Sequence, residues 1–106
     1  MALSVLEQSA LADLRARLTT RFGGRLVRLV LFGSRARGEG HEESDLDVLV
    51  LVRHLTRGER REAIDEAGEV EARSGLIVSV LARDADAWER TSGPLARAVE
   101  REGISA

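Results

Sequence analysis

The chain contains no cysteine, no lysine and no tyrosine, and it has one proline and three aromatic residues. The absence of cysteine excludes disulfide bonds and thiolate metal sites. No stretch approaches the roughly 20 consecutive apolar residues that a membrane-spanning helix needs. The chain has 43% hydrophobic and 32% charged residues, which is the composition of an ordinary globular protein.

Charge and length narrow the possible functions further. The formal net charge is −2, whereas a dedicated nucleic-acid binder usually has a basic surface, so we expect no direct nucleic-acid partner. We expect residues 1–106 to form a single domain, too small for a catalytic domain plus a substrate domain. The start, Met1-Ala2-Leu3-Ser4, lacks the basic and apolar regions of a signal peptide, which predicts a cytoplasmic protein.

Hydrophobic periodicity and capping residues predict alternating helices and strands. Ser4 with Glu7 and Thr56 with Glu59 are capping boxes at the starts of the two longest helices. The predicted elements are a helix ending near Gly23, a strand Arg25 to Phe32, a strand Leu46 to Val52, a helix to about Arg73, a strand Leu76 to Leu81, a short helix Asp84 to Arg90, and a helix starting at Pro94. A further short helix is possible at Arg35 to Arg37, before a polar loop from Gly38 to Ser44.

The pattern of elements indicates an α/β (α+β) fold. The strand Leu46 to Val52 is almost entirely valine and leucine, which is typical of a central strand buried on both faces. We therefore predict a small mixed sheet with helices packed mainly on one face.

Two neighbouring motifs carry the chemistry. The first strand runs into Gly33-Ser34, where a residue without Cβ lets a ligand approach the backbone and a hydroxyl can donate to an anion. Asp45 and Asp47 are two residues apart on the next strand, so both carboxylates point to the same face. Paired carboxylates beside a phosphate site suit Mg²⁺, which is usually held by one or two carboxylates plus substrate phosphates. Alternatively, Gly33-Ser34 is only a turn, Asp45 caps the strand, and Asp47 is a surface residue.

The combined motif Gly33-Ser34-x-x-x-Gly38 … Ser44-Asp45-x-Asp47 resembles the signature of the DNA polymerase β-type nucleotidyltransferases. The chain is most similar to their minimal members, which are encoded beside HEPN-domain proteins and act as antitoxins. The resemblance implies a nucleotidyltransferase core in which Asp45 and Asp47 hold Mg²⁺ and act in catalysis. It also implies that Gly33 and Ser34 position the phosphates of ATP.

The chain departs from this family at the third carboxylate, which polymerase β-like enzymes carry on a neighbouring strand. The predicted third strand contains no acid, and Ser79, its only polar residue, stands at roughly the expected position. A neutral hydroxyl adds no charge to a metal and is a poor general base. The acid is then absent, or it comes from elsewhere, with Glu71 and Asp84 as the candidates.

Several side chains have two interpretations. Arg35 and Arg37 either bind the triphosphate or pair with Glu39, Glu42 or Glu43, and Arg37 is the better phosphate candidate because it directly precedes the Gly38 turn. Trp88 either stacks on a base or seals the sheet edge. His41 and Ser44 are interpreted as a solvated loop residue and a turn-setting residue.

The predicted reaction is transfer of AMP from ATP to a hydroxyl on a partner protein. The resemblance implies a HEPN-type toxin from a neighbouring gene as that partner. The alternative is a non-catalytic nucleotide-binding antitoxin that neutralises its partner by binding; modification of a small molecule is a third hypothesis. We expect a homodimer or a stable complex, formed through the Trp88 helix or the helix from Pro94 to Glu102.

Overall fold

The computed structural model describes residues 3–39 and 45–106. Four helices and four strands follow in the order α1 (Val5–Phe22), β1 (Leu26–Phe32), β2 (Leu46–Val52), α2 (Arg57–Ser74), β3 (Val78–Asp84), α3 (Ala85–Glu89), α4 (Pro94–Glu102) and β4 (Ile104–Ser105). A 3-10 turn, Gly23–Arg25, joins α1 to β1. No helix of the described ranges is long and apolar enough to cross a membrane.

The strands form one mixed sheet in the order β3-β2-β1-β4. Strand β1 is antiparallel to both β2 and β4, whereas β2 and β3 are parallel. A parallel pair needs a long crossover, and α2 is that crossover. The mixed sheet and its helices confirm the predicted fold class.

Strand β2 lies at the centre of the molecule and is buried on both faces, as its composition predicts. The two faces take alternate residues, as expected for a strand. Leu46, Val48, Val50 and Val52 join the larger core cluster beneath α1 and α2. Leu49 and Leu51 join a smaller cluster beneath α3 and α4. The long helices therefore cover one face, and the two short helices cover part of the other.

Both predicted capping boxes are present. Ser4 Oγ accepts from the Glu7 N–H at 3.0 Å, and the Glu7 carboxylate accepts from the Ser4 N–H at 2.8 Å. Thr56 and Glu59 make the same reciprocal pair at 3.1 Å in both directions. Pro94 is the first residue of α4, as predicted.

The structure corrects the predicted third strand, which is Val78–Asp84 and not Leu76 to Leu81. Gly75 adopts a left-handed conformation that ends α2. The Glu71 carboxylate then accepts from the Val78 N–H at 2.7 Å, so the chain becomes extended only at that point. The strand continues to Asp84 because it stays paired with β2 as far as Val52.

Two further features near the first strand differ from the sequence interpretation: the possible short helix is absent, and an unexpected strand is present. Residues 35–37 form a turn and not a helix. In this turn the Arg37 N–H donates to the Gly33 carbonyl at 3.2 Å, and the Glu39 N–H donates to the Ser34 carbonyl at 2.8 Å. Strand β4 was not predicted, because two residues carry too little periodicity to be recognised.

We expect Leu14→Ala to destabilise the protein strongly, because Leu14 is fully buried between α1 and the sheet. Loss of a buried leucine side chain typically costs about 2–5 kcal/mol. Leu6→Ala on the same helix is the matched control, since Leu6 is 49% exposed and its loss should cost under about 0.5 kcal/mol. Chemical denaturation measures both free energies of unfolding; equal losses would contradict the position of α1.

Candidate active site

Asp45 and Asp47 lie at the start of the central strand, on the face partly covered by the short helices. Asp47 is the second residue of β2 and is half-buried, whereas Asp45 immediately precedes the strand and is exposed. Asp47 pairs with Phe32 of β1 on one side and with Ser79 of β3 on the other. Paired residues of neighbouring strands project to the same face, so Ser79 shares the face of the Asp47 carboxylate.

The two carboxylates make this end of the sheet electronegative. Burial raises the pKa of Asp47 above its ordinary 3.8, and the negative charge of Asp45 raises that pKa further. Within the described residues, neither carboxylate has a hydrogen bond or ion pair. A half-buried carboxylate without a partner is costly, so the pair favours a bound cation.

Gly33 lies directly against the Asp47 carboxylate. Its φ is +80°, a conformation that residues with a side chain rarely adopt. A Cβ placed on Gly33 would lie 3.3 Å from Asp47 Cγ and would collide with Oδ2. Glycine is therefore required here for two reasons, the backbone angle and the close approach of the carboxylate.

The turn after Gly33 presents unpaired hydrogen-bond donors beside the aspartates. Among the described residues, the backbone N–H groups of Ser34 and Ala36 and the Ser34 hydroxyl have no partner. Ser34 is half-buried and directly follows Gly33, the residue in contact with the Asp47 carboxylate, whereas Ala36 is buried in the larger core cluster. Backbone N–H groups in such a turn are suited to binding an anion such as phosphate.

Arg35 is a structural residue, and its carboxylate partner is not among those considered from the sequence. Its Nε and Nη2 donate to the two carboxylate oxygens of Glu7 at 2.8 and 2.9 Å. The side chains of Arg35 and Glu7 are 7% and 0% exposed. The Arg35 guanidinium is therefore engaged in a buried ion pair with α1 and is not presented to a triphosphate, while Glu42 and Glu43 lie outside the described residues.

Arg37 is half-exposed and bridges two acids. It donates to Glu39 and to Glu102 of α4, both at 3.2 Å. These carboxylates, Glu102 foremost, raise its pKa, so the guanidinium stays charged. Arg37 lies at the end of the sheet that holds the aspartates, and a phosphate group would compete with Glu39 and Glu102 for it.

Both alternative carboxylates for the third acid are engaged by backbone N–H groups, and neither is at the position paired with Asp47. Glu71 belongs to α2 on the opposite face, where its carboxylate binds the Val78 N–H. Asp84 pairs with Val52, five positions beyond the Asp47–Ser79 pair, or roughly 16 Å along the strand. There Asp84 caps α3 by accepting from the Ala87 N–H at 2.9 Å. Ser79, which is exposed beside Asp47, is the residue at the expected register.

Trp88 does not belong to this site. It is 7% exposed in the smaller core cluster, and its indole N–H donates to Glu100 at 3.3 Å. It lines a groove of about 300 Å³ together with Leu51 and Val27, which lie toward the far end of the sheet. The burial of Trp88 favours its sealing role over stacking on a base, and the groove beside it has both apolar and charged lining residues. On α4, Leu95 is 50% exposed.

His41 and Ser44, the other two residues considered from the sequence, lie outside the described residues.

The residues present fit a magnesium ion held by two carboxylates. Mg²⁺ prefers oxygen ligands and is commonly completed by substrate phosphates and water. Asp45 and Asp47 supply the carboxylates, and the described ranges contain no group of three or more acidic, histidine or cysteine residues that would form a larger cluster.

This arrangement of a glycine-serine turn beside a carboxylate pair defines a class of nucleotide-transferring proteins. A family model described as "Nucleotidyltransferase domain" matches residues 11–102. The chain therefore belongs to the nucleotidyltransferase domain family.

Individual relatives point to the minimal members of this family. A candidate protein adenylyltransferase of Methanocaldococcus jannaschii is 38% identical over 58% of this chain. The chain spans 64% of the length of that curated relative. A solved structure described as a candidate minimal nucleotidyltransferase is 33% identical, with a TM-score of 0.54 over 89% of this chain and 93% of that one. The resemblance to minimal nucleotidyltransferases is thereby confirmed.

A second solved structure shares the fold at lower identity. It contains a Shewanella oneidensis HEPN toxin, modified with three AMP groups, in complex with its minimal nucleotidyltransferase antitoxin. The match has a TM-score of 0.58 and 20% identity, and it covers 92% of this chain and 69% of that chain.

We expect Asp47→Asn to stabilise the metal-free protein at neutral pH. The raised pKa of Asp47 means that the folded state holds its proton more tightly than the unfolded state, so ionisation of Asp47 opposes folding. This penalty is fully present above the folded pKa and disappears below the ordinary value of 3.8. Melting temperatures in EDTA should therefore differ at pH 7 and converge toward pH 3.5. A less stable Asn variant at pH 7 would contradict the unpartnered carboxylate.

Proposed function

We propose that this protein is a Mg²⁺-dependent adenylyltransferase that modifies a hydroxyl group of a HEPN-domain toxin and thereby acts as its antitoxin. The observation that carries the proposal is the contact between Gly33 and Asp47. It joins a turn whose N–H donors have no partner among residues 3–39 and 45–106 to a pair of carboxylates that have none there either. Phosphate and a divalent cation are the ligands that these two halves suit.

The proposed reaction is an in-line displacement at the α-phosphorus of ATP. The acceptor oxygen forms a bond to this phosphorus, the bond to the β-phosphate oxygen breaks, pyrophosphate leaves, and the acceptor proton passes to water. Gly33 and Ser34 hold the phosphates through backbone N–H groups and the hydroxyl, with Arg37 as a further phosphate ligand. Asp45 and Asp47 would hold Mg²⁺, which would supply positive charge to offset that developing on the phosphate oxygens.

The choice of AMP and of a HEPN partner rests on the similar proteins. The curated relative is named for protein adenylyl transfer, and the structural neighbour includes an AMP-modified HEPN toxin. This chain spans less than two thirds of the curated relative, so activity, partner and cytoplasmic location are all part of the proposal. A homodimer is the other assembly that we expect.

A specific observation favours a second function, that of a non-catalytic nucleotide-binding antitoxin. Ser79 stands where an acid would complete the carboxylate set, and its hydroxyl is a weak metal ligand and a poor base at neutral pH. Such a protein would bind Mg²⁺ and ATP and neutralise its partner by contact alone.

The proposed transfer is tested by incubating the protein with the HEPN-domain product of its neighbouring gene and ATP labelled at the α-phosphate. We expect label on the partner in Mg²⁺ and none in EDTA. Asp47→Asn should reduce the rate by about a hundredfold or more, because metal binding contributes several kcal/mol to such reactions. Asp65→Asn, at an exposed aspartate of α2, is the matched control and should keep the wild-type rate.

Two results would decide between the functions. Tight binding of Mg²⁺ and ATP without any labelled partner would favour the non-catalytic antitoxin. Labelling that survives both EDTA and Asp47→Asn would contradict the assignment of the aspartates.

We expect Ser79→Asp to increase transfer. Ser79 is exposed and in register with Asp47, so an aspartate there brings a third carboxylate toward the metal without burying a charge. Without metal the added charge should lower the melting temperature, and Mg²⁺ should restore it. If Ser79 is the third position, Glu71→Gln and Asp84→Asn, at the two alternative positions, should leave transfer per folded molecule unchanged. A Ser79→Asp variant with no rise in transfer and no response to Mg²⁺ would show that Ser79 is not the third position.

A further inference from the structure

We propose that Glu7 is a positioning residue for the nucleotide: through its buried ion pair with Arg35, it fixes the turn of residues 33–39 where the phosphates bind. This inference rests on the proposed function, because it assumes that the turn binds ATP. It assigns a role in nucleotide binding to the first turn of α1, which does not itself touch the aspartates.

The Glu7 carboxylate is fully buried and shared between two segments of the chain. Its Oε1 accepts from the Ser4 N–H at 2.8 Å and from Arg35 Nη2 at 2.9 Å, while Oε2 accepts from Arg35 Nε at 2.8 Å. The hydrogen bond from Arg35 is the main reason that the pKa of Glu7 is lowered, so the carboxylate stays ionised. A bidentate ion pair thus connects the N-terminus of α1 to the turn.

The same guanidinium also holds the far end of the turn. Arg35 Nη1 donates to the Glu39 carbonyl at 3.1 Å, so one side chain connects α1 to the middle and the end of the segment. Backbone hydrogen bonds, including Gly38 N–H to the Arg35 carbonyl at 3.3 Å, and the exposed Arg37–Glu39 pair also close the turn. The Arg35–Glu7 pair is the buried contact that fixes the turn against α1.

This position matters because Arg35 directly follows Ser34, whose N–H and hydroxyl are the unpaired donors beside Asp47. A shift of Arg35 moves these donors relative to the carboxylates. Misplacement of binding groups by about 1 Å can cost a hundredfold in rate, since the reacting atoms must be aligned. Phosphate contacts are the first to be lost when the turn moves.

The chain contains a natural control for this role. Glu59, at the corresponding position of the second capping box, holds Arg25 with two hydrogen bonds of 2.8 Å. Arg25 also donates to the carbonyls of Arg53 and His54, which follow β2 at the end of the sheet away from Asp47. Glu7 and Glu59 thus have the same local motif and the same type of partner, but only Glu7 is connected to the turn.

The experiment compares Glu7→Gln with Glu59→Gln in the full chain. Dissociation constants for ATP and for AMP are measured in Mg²⁺ by calorimetry, at a temperature where melting curves show each variant to be folded. The double variant Glu7→Gln with Arg35→Gln is included because it leaves no lone buried charge, and two amides can bind each other.

We expect Glu7→Gln to weaken ATP binding by about tenfold or more, the equivalent of about 1.4 kcal/mol. AMP, which lacks the β- and γ-phosphates, should lose much less affinity. Glu59→Gln should lower the melting temperature yet keep ATP affinity within about twofold. The double variant should recover melting temperature relative to Glu7→Gln while its ATP affinity stays weak.

Four results would overturn the inference. Equal losses for ATP and AMP, or ATP affinity that recovers with stability in the double variant, would show that the pair only stabilises the fold. Unchanged ATP affinity in folded Glu7→Gln would show that the turn does not need it. A wild-type protein that fails to bind ATP in Mg²⁺ would overturn the proposed function, and the positioning role with it.

Discussion

The burial of β2 on both faces is the constraint on which the rest of the structure depends. A strand of valine and leucine with no exposed face requires neighbours on both edges and helices above and below it. The long helices cover one face, and the chain must return through α3 and α4 to cover the other. Asp47 lies on this second face, near the edge of the area that α3 and α4 cover, and its carboxylate is half-buried.

The candidate active site follows from that position. A carboxylate at the edge of an apolar face loses hydration, and a second carboxylate two residues earlier makes its ionisation less favourable still. The Gly33 backbone lies against one side of it, and no described residue supplies a counter-charge there. These unfavourable electrostatics cost stability in the free protein and would favour the binding of a cation.

The two capping boxes show how one local motif serves two purposes. Each glutamate satisfies the first backbone N–H of its helix and also binds an arginine from a distant segment. At Glu59, the arginine contact lowers the pKa of the partly exposed carboxylate to about 2. At Glu7 the pair is fully buried, where removal of one partner typically costs about 3–5 kcal/mol because a lone charge remains. A change at Glu7 should therefore affect both the stability of the fold and the position of the turn.

Much of the site can be predicted from the sequence because its signals are local. The alternation of strand residues puts Asp45 and Asp47 on one face, and the burial of β2 follows from its composition. The strand Val78–Asp84 starts two residues later than expected, which shows the limit of such signals, because the Val78 N–H at its start is bound by the carboxylate of Glu71 in α2. Ser79 is recognisable as a candidate, but only the register of β3 against β2 puts it beside Asp47.

The sequence by itself determined the helices, their caps, the central strand and the carboxylate pair, because each depends on residues within a few positions of one another. Tertiary structure alone decided that Arg35 pairs with Glu7, 28 residues earlier, and that Arg37 meets Glu102, 65 residues later. Several acids compete for each arginine along the chain, and only the packing of α1 and α4 against the sheet selects among them. Long-range ion pairs are a consequence of the packed fold, since burial and geometry, and not proximity in sequence, set their strength.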